Sequence, residues 1–274
     1  MNGNGEQRNG GPHKSHHHHI WYIWIPLAAS LMWFSTLLAM LVTWLAQGRP
    51  FYVSMSDGQT IAYISDIGAD ILKPLFIVGC SITAVGFFLS LSIERWARHD
   101  GRLVPNMRRR EKVMSSLAIA WSFVGGVGLI LLSIFDTKRH ERLHRVFLLV
   151  FVVGTALSAI FTIIEFRWLD KTFGYTFRKL RVAYIFKAVF ATVLIILAIA
   201  FGILLGRNQN AGAVVEWVIA FLFTLYLLSF WYDLRQSRNH SKGELTRERF
   251  MNGNGRMDGH SGPGIEMVEG GPQM

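Results

Sequence analysis

Asp136, His140 and His144 recur at intervals of four. On a helix that spacing would set one carboxylate and two imidazoles along a single face. Two imidazoles in that register can share a zinc ion, and the carboxylate could complete a hydrolytic centre that activates water. A catalytic zinc also needs a third firm ligand and a positioned base. Neither accompanies this trio in the sequence, so no metal, no other cofactor and no catalytic residue is expected. The tract His16, His17, His18, His19 is the kind that binds metal adventitiously.

A second group with chemical potential is the stretch IAYISDIGAD at residues 61–70, acidic in a chain that is otherwise basic. Within it Gly68 would permit a tight turn. Asp66 would cap that turn or the helix that follows, or accept a hydrogen bond from a basic group in the segment that carries His140. Ser65, Asp66, Gly68, Asp136, His140 and His144 are the candidates for one outer vestibule.

These residues must be held by elements of a particular kind. Of the 274 residues, 51% are hydrophobic, and they are concentrated rather than spread. Residues 114–135 (MSSLAIAWSFVGGVGLILLSIF) and 146–164 (VFLLVFVVGTALSAIFTII) carry no charge. About 18 or more such residues suffice to cross a bilayer as a helix, the form in which a backbone satisfies its own hydrogen bonds in lipid. Six segments qualify: 20–45, 71–93, 113–135, 146–166, 182–205 and 213–232. The expected fold is all-α, a polytopic bundle of six transmembrane helices over residues 20–235, with disordered tails at 1–19 and 236–274. The first segment is too long for a cleavable signal peptide and follows a polar tail. Cys80 stands alone, so no intramolecular disulfide can form.

Lys and Arg fall on alternate sides of these spans. Placing both termini in the cytosol puts 20 basic residues inside and six outside, the arrangement that the resistance of basic loops to export favours. Two clusters then lie against the inner membrane surface: Arg108, Arg109, Arg110 and Lys112 before the third span, and Arg178, Lys179 and Arg181 before the fifth. Basic residues so placed gain about 1 kcal/mol each from an anionic leaflet. The net charge of +10 therefore points to membrane lipids, anionic phospholipids among them, and not to nucleic acid.

No span carries an acid or base near its midpoint, as an ion-coupled transporter would. Lys73, Lys187 and Glu216 sit near span ends, from which long side chains snorkel to the surface. Glu165, near the cytosolic end of the fourth span and followed by Arg167, reads as an interfacial charge or salt pair. Small residues at Gly125, Gly126 and Gly128, at Gly154 and Ser158, and at Gly202 and Gly206 mark places where helices could approach closely.

The first-loop sequence YISDIGA, the block SIFDT at 133–137 with His140 and His144, and FTIIE at 161–165 together resemble the DRAM-like family of six-span membrane proteins, in particular its fungal "suppressor of four kinase" branch. The likeness covers residues 20–235 and carries Ser65, Asp66, Gly68, Asp136, His140, His144 and Glu165. It implies a non-enzymatic plasma-membrane protein linked to a phosphatidylinositol 4-kinase and to the ordering of lipids. Other members of the family are lysosomal and autophagy-related, or act in remodelling GPI anchors. The expected function is accordingly a regulator or scaffold that supports recruitment of a lipid-kinase complex. The alternative is a metal-dependent hydrolase or remodelling factor acting on GPI- or ceramide-type lipid at the outer leaflet. Lysosome or vacuole, and ER or Golgi, are the alternative locations.

Overall fold

The computed structural model describes residues 21–100, 102–103, 109–173 and 178–236. The expected tails, apart from Gln236, and Arg108 lie outside these residues, as do the side chains of Arg178 and Lys179. A short 3-10 turn, Trp21–Ile23, leads into α1 (Trp24–Ala46), which is followed by the four-residue α2 (Ile64–Ile67), α3 (Lys73–His99), α4 (Arg109–Ile134), α5 (Glu141–Phe173), α6 (Arg178–Leu204) and α7 (Gln209–Gln236). All but α2 are long and apolar enough to cross a membrane. The six spans therefore agree with the hydropathy of the sequence, but they are longer than the uncharged runs. Helix α3 continues past residue 93 to His99, and α5 runs from Glu141 to Phe173.

Neighbouring spans touch in the order α1, α3, α4, α5, α6, α7 and back to α1, closing a ring that α3 and α7 also bridge from within. Large apolar side chains cover the outside, among them Leu31, Val42, Val85, Leu149, Val189, Ile196 and Ile199. Such a surface has no place in water but is the natural solvent face in hydrocarbon. Inside, Phe87 of α3 meets Phe223 and Phe230 of α7 edge-on, with ring centroids 5.7 and 6.0 Å apart. Between α1 and α7, Trp33 Nε1 donates to the Ala220 carbonyl at 2.9 Å and Ser30 Oγ to the Thr224 carbonyl at 3.2 Å.

Close backbone approach is concentrated between α4 and α5. A Cβ placed on Gly154 would lie 2.6 Å from the Gly125 nitrogen, and one on Gly128 would lie 2.7 Å from the Phe151 nitrogen. Ser158 Oγ adds a 2.8 Å bond to the Ala118 carbonyl. Gly202 and Gly206 behave otherwise: each faces open space, so that pair does not mark a helix contact among the described residues. Where α5, α6 and α7 meet lies a half-open apolar cavity of about 120 Å³. Leu148, Phe151, Leu194, Phe201 and Phe223 line it, with Glu216 as its acid.

Six crossings return the chain to the side on which it starts. The turn before α1 and the end of α7 are together there, Ile23 packing in one cluster with Ala97 and Leu234. This side is the terminal face; the loop that holds α2 lies on the opposite face.

Candidate functional site

On the opposite face the connection between α1 and α3 folds back over the bundle instead of trailing into solvent. Turns at Gly48 and Gly58, with φ of 77° and 78°, and at Arg49, with φ of 58°, reverse the chain, and Ala62, Ile64 and Ile67 are buried against the core. The anchor is chiefly the start of α7. Asn210 Oδ1 accepts from Thr60 N (2.7 Å), Thr60 Oγ1 (3.1 Å) and Ile61 N (3.1 Å). Glu216 Oε2 accepts from Ile64 N at 2.7 Å, and Trp217 Nε1 donates to the Ala62 carbonyl at 3.1 Å. Tyr63 donates its hydroxyl to Gln209 at 3.1 Å. Burial, with the nearby charges of Glu216 and Asp66, pushes that phenol up to about 12, so it stays a neutral donor.

Asp66 is the polar hub of this loop and is 3% exposed. Its Oδ2 accepts from Tyr63 N at 3.1 Å, which caps α2, and from Gln59 Nε2 at 3.2 Å. Burial raises its carboxyl above the ordinary carboxylate range, opposed by hydrogen bonds from Ser54, Tyr63 and Gln59 and by the charge of His144. Of the two capping roles and the cross-loop role expected for Asp66, its direct bonds realise the cap of its own short helix. Gly68 ends α2 with φ of −71°, an ordinary helical value. Its need for glycine is one of space: a Cβ there would lie 2.6 Å from Phe76 Cδ1.

The acidic loop and the basic loop between α4 and α5 do meet, but lightly. Thr137 Oγ1 reaches the Ser65 carbonyl at 3.4 Å, and Lys138 lies 3.9 Å from Asp70 with both side chains exposed. A shallow cavity of about 120 Å³ between the loops is lined by Tyr52, Ser54, Asp66, Asp70 and Lys138. The spaced trio divides its duties. Asp136 pairs with Lys73 and accepts from Arg139 N at 2.7 Å. Burial alone would raise the Asp136 carboxyl; the bonds from Lys73 and Arg139 and their charges more than offset it and hold it below its ordinary value. His144 is buried, with Nδ1 2.8 and 3.0 Å from the Leu132 and Phe135 carbonyls. Nδ1 is therefore the protonated nitrogen, tying the start of α5 to the end of α4. His140 is exposed and stacks edge-on against Phe135 at 5.5 Å. Among the described residues no three His, Cys, Asp or Glu side chains converge as ligands to a metal.

The terminal face holds a feature that the sequence reading missed. Lys187 of α6 does not snorkel; it is 1% exposed, and its Nζ lies 2.6 Å from Asp233 Oδ2 of α7 and 3.3 Å from Glu94 Oε2 of α3. Arg98 bonds Glu94 Oε1 at 2.8 Å and lies 3.8 Å from Glu165 of α5. Aromatic faces complete the shell: Lys187 Nζ is 3.9 Å from the Phe230 centroid and 4.4 Å from that of Phe166, and Arg98 is 4.7 Å from Phe166. Four helices are thus joined by one buried ionic network. Glu165 is a member of it, paired across helices with Arg98 and not with its sequence neighbour Arg167. The signals were present in the i,i+4 pair Glu94 and Arg98, which lay just beyond the second span as drawn, and in Lys187, which was read as snorkelling from the fifth.

A segregation of charge follows. At the terminal face Glu94, Glu111, Glu165 and Asp233 are all buried, whereas Arg109, Arg110, Lys112, Arg167, Arg181 and Arg235 are exposed. Asp100 is half-buried and lies 3.1 Å from Arg102. The described surface there is more basic than the composition of the same segments would suggest, because these four acids are buried against two bases, Arg98 and Lys187.

A closed ring of six membrane-spanning helices, capped on one face by a folded acidic loop and bound at the other by buried ions, defines an integral membrane protein. The profile of the Frag1/DRAM/Sfk1/Cwh43P N-terminal domain matches residues 21–237, the whole ring, and the chain belongs to that family. It is similar to Protein sfk1 of Schizosaccharomyces pombe, with 37% identity over 216 residues, covering 78% of this chain and 64% of the relative. It is also similar to Protein SFK1 of Saccharomyces cerevisiae, with 26% identity over 291 residues, covering 80% of this chain and 82% of that one. The chain thus spans less than two thirds of the S. pombe protein's length. No solved structure gives a significant match.

Proposed function

We propose that the protein is a non-enzymatic regulator or scaffold of the plasma membrane whose terminal face is cytosolic and supports recruitment of a phosphatidylinositol 4-kinase complex, organising lipids around it. The observation that carries this reading is the charge segregation at that face. Exposed Arg109, Arg110, Lys112 and Arg181 stand at the starts of α4 and α6, where they would meet anionic headgroups or an acidic partner. Four acids of the same face, Glu94, Glu111, Glu165 and Asp233, are buried and not set among them at the surface. Similarity to the sfk1 proteins supports a membrane protein of that branch of the family.

The test is a pull-down of the full chain in mild detergent, scored for a phosphatidylinositol 4-kinase, with the triple variant Arg109→Glu, Arg110→Glu, Lys112→Glu beside the parent. These side chains are exposed, so the variant is expected to fold. Loss of the kinase from the variant alone supports recruitment by this face; equal recovery from both removes it.

A further inference from the structure

Glu216 is the charged residue of the apolar cavity where α5, α6 and α7 meet, and among the described residues no Lys, Arg or His lines it. Helix α7 has 28 residues; at ~1.5 Å per residue it runs about 42 Å, matching the ~40–45 Å of a bilayer with its headgroups. Glu216 stands about 10 Å from the loop-side end of that helix, by the same rise, where headgroups give way to hydrocarbon. From there the lining continues to Tyr226, about 15 Å further along α7. Half-buried Val152 and Ala156 of α5 and Ile195 and Ala198 of α6 line it from the two sides of their joint. That joint is the least extensive of the ring, which gives a lipid chain a way in.

The carboxyl is satisfied on one side only. Its Oε2 accepts from Ile64 N at 2.7 Å. Its Oε1 takes no hydrogen bond or ion pair among the described residues, and it is not sealed off, since the side chain is half-buried and lines the cavity. Asp66 takes the neighbouring amide, Tyr63 N, at 3.1 Å, so two carboxyl groups sit on consecutive backbone amides. An acid without a counter-charge at the edge of hydrocarbon is unfavourable, and a cationic donor is the group that relieves it.

We infer that this cavity takes one single-chain lipid amine, the chemical class of the sphingoid bases. The ammonium would donate to Glu216 Oε1, and the alkyl chain would lie against Phe151, Leu194 and Phe223 before returning to the bilayer between α5 and α6. Size selects the chain. A volume of about 120 Å³ is on the scale of the ~150 Å³ that holds a benzene ring, so a fused ring system or two chains abreast would not fit. Charge selects the head. A fatty acid, or the phosphate of a phospholipid, would set an anion against Glu216 with no cation in the lining to balance it. A long-chain alcohol offers only a neutral donor, which is worth less than a charged one. The site goes beyond kinase recruitment, since it lies towards the loop face and uses none of the exposed cations of α4.

The test is photolabelling of the full chain in phosphatidylcholine vesicles, with a sphingosine that carries a diazirine in its chain and mass spectrometry of the labelled peptides. Saturable label is expected on the cavity-lining residues of α5, α6 and α7. Octadecylamine should displace it at about a tenth of the concentration needed for octadecanol, the difference that one charge-assisted hydrogen bond makes. Octadecanoic acid should not displace it. Glu216→Gln keeps an acceptor for Ile64 N and removes the charge, so it should melt like the parent and lower the labelling about tenfold. Ala198→Phe, which fills the cavity from α6, should abolish labelling; should that variant not fold, Glu216→Gln decides alone. Displacement by octadecanol as readily as by octadecylamine, undiminished labelling of folded Glu216→Gln or of folded Ala198→Phe, or label confined to residues on the outside of the ring would each overturn the assignment.

Discussion

The ammonium of Lys187 lies between two carboxylates from different helices, 2.6 Å from Asp233 and 3.3 Å from Glu94, with the Phe230 ring 3.9 Å away. Removing one partner of such a buried set costs about 3–5 kcal/mol, because the remaining charges keep their desolvation penalty. Lys187→Met should therefore lower the thermal midpoint of the detergent-solubilised protein sharply. Pairing it with Asp233→Asn should restore part of the loss, since one orphaned acid is then gone. A midpoint within a degree of the parent for Lys187→Met would show the network to be energetically idle.

The α4–α5 crossing rests on backbone contact, so side chains cannot move aside to accommodate bulk. Gly154→Val should destabilise the bundle by at least the roughly 1–3 kcal/mol of ordinary overpacking. Gly202→Ala, placed in open space on α6, should be neutral or gain about 0.5–1 kcal/mol from helix propensity. Monodisperse yield and melting of the two variants side by side separate these outcomes.

Asn210 serves three donors of the folded loop through a single oxygen. Asn210→Ala should free the backbone near Thr60 and Ile61 while leaving the spans intact. Hydrogen exchange is expected to rise several-fold over residues 58–64, with little shift in the global melt. Unaltered exchange there would mean that Trp217 and Glu216 hold the loop without it.

Asp136 gives the opposite face a definite acid response. Its folded-state carboxyl titrates below the ordinary value of 3.8, so the unfolded chain takes up the proton first as pH falls. The stabilisation is complete above that ordinary value and is lost as pH drops through the lower, folded one. Melts recorded between pH 5 and pH 3 should show Asp136→Asn, already lacking the charge, less sensitive to acid than the parent. Parallel pH profiles would remove Lys73 and Asp136 as the source of the response.

Hydropathy made the six crossings legible because lipid punishes unsatisfied backbone irrespective of detailed packing. The loop around Asp66 was legible as a structured element for a similar local reason: an acid three residues after Tyr63 can cap a short helix. The partner of that loop was not, since Asn210, Glu216 and Trp217 lie about 150 residues away and have ordinary individual signatures. Lys187 was misread because a long basic side chain near a span end usually escapes to the surface, and only the folded arrangement places Glu94 and Asp233 around it. Gly68 was assigned to a turn from its residue type, whereas the close Phe76 ring is what requires it.

The Gly125–Gly154 contact also settles where the ring is stiff. Helices α4 and α5 share the most extensive interface among the described residues, and α5 and α6 the least extensive of the ring's joints. The ring is thus thinnest at the α5–α6 joint, beside the apolar cavity, and most closely packed at the α4–α5 pair.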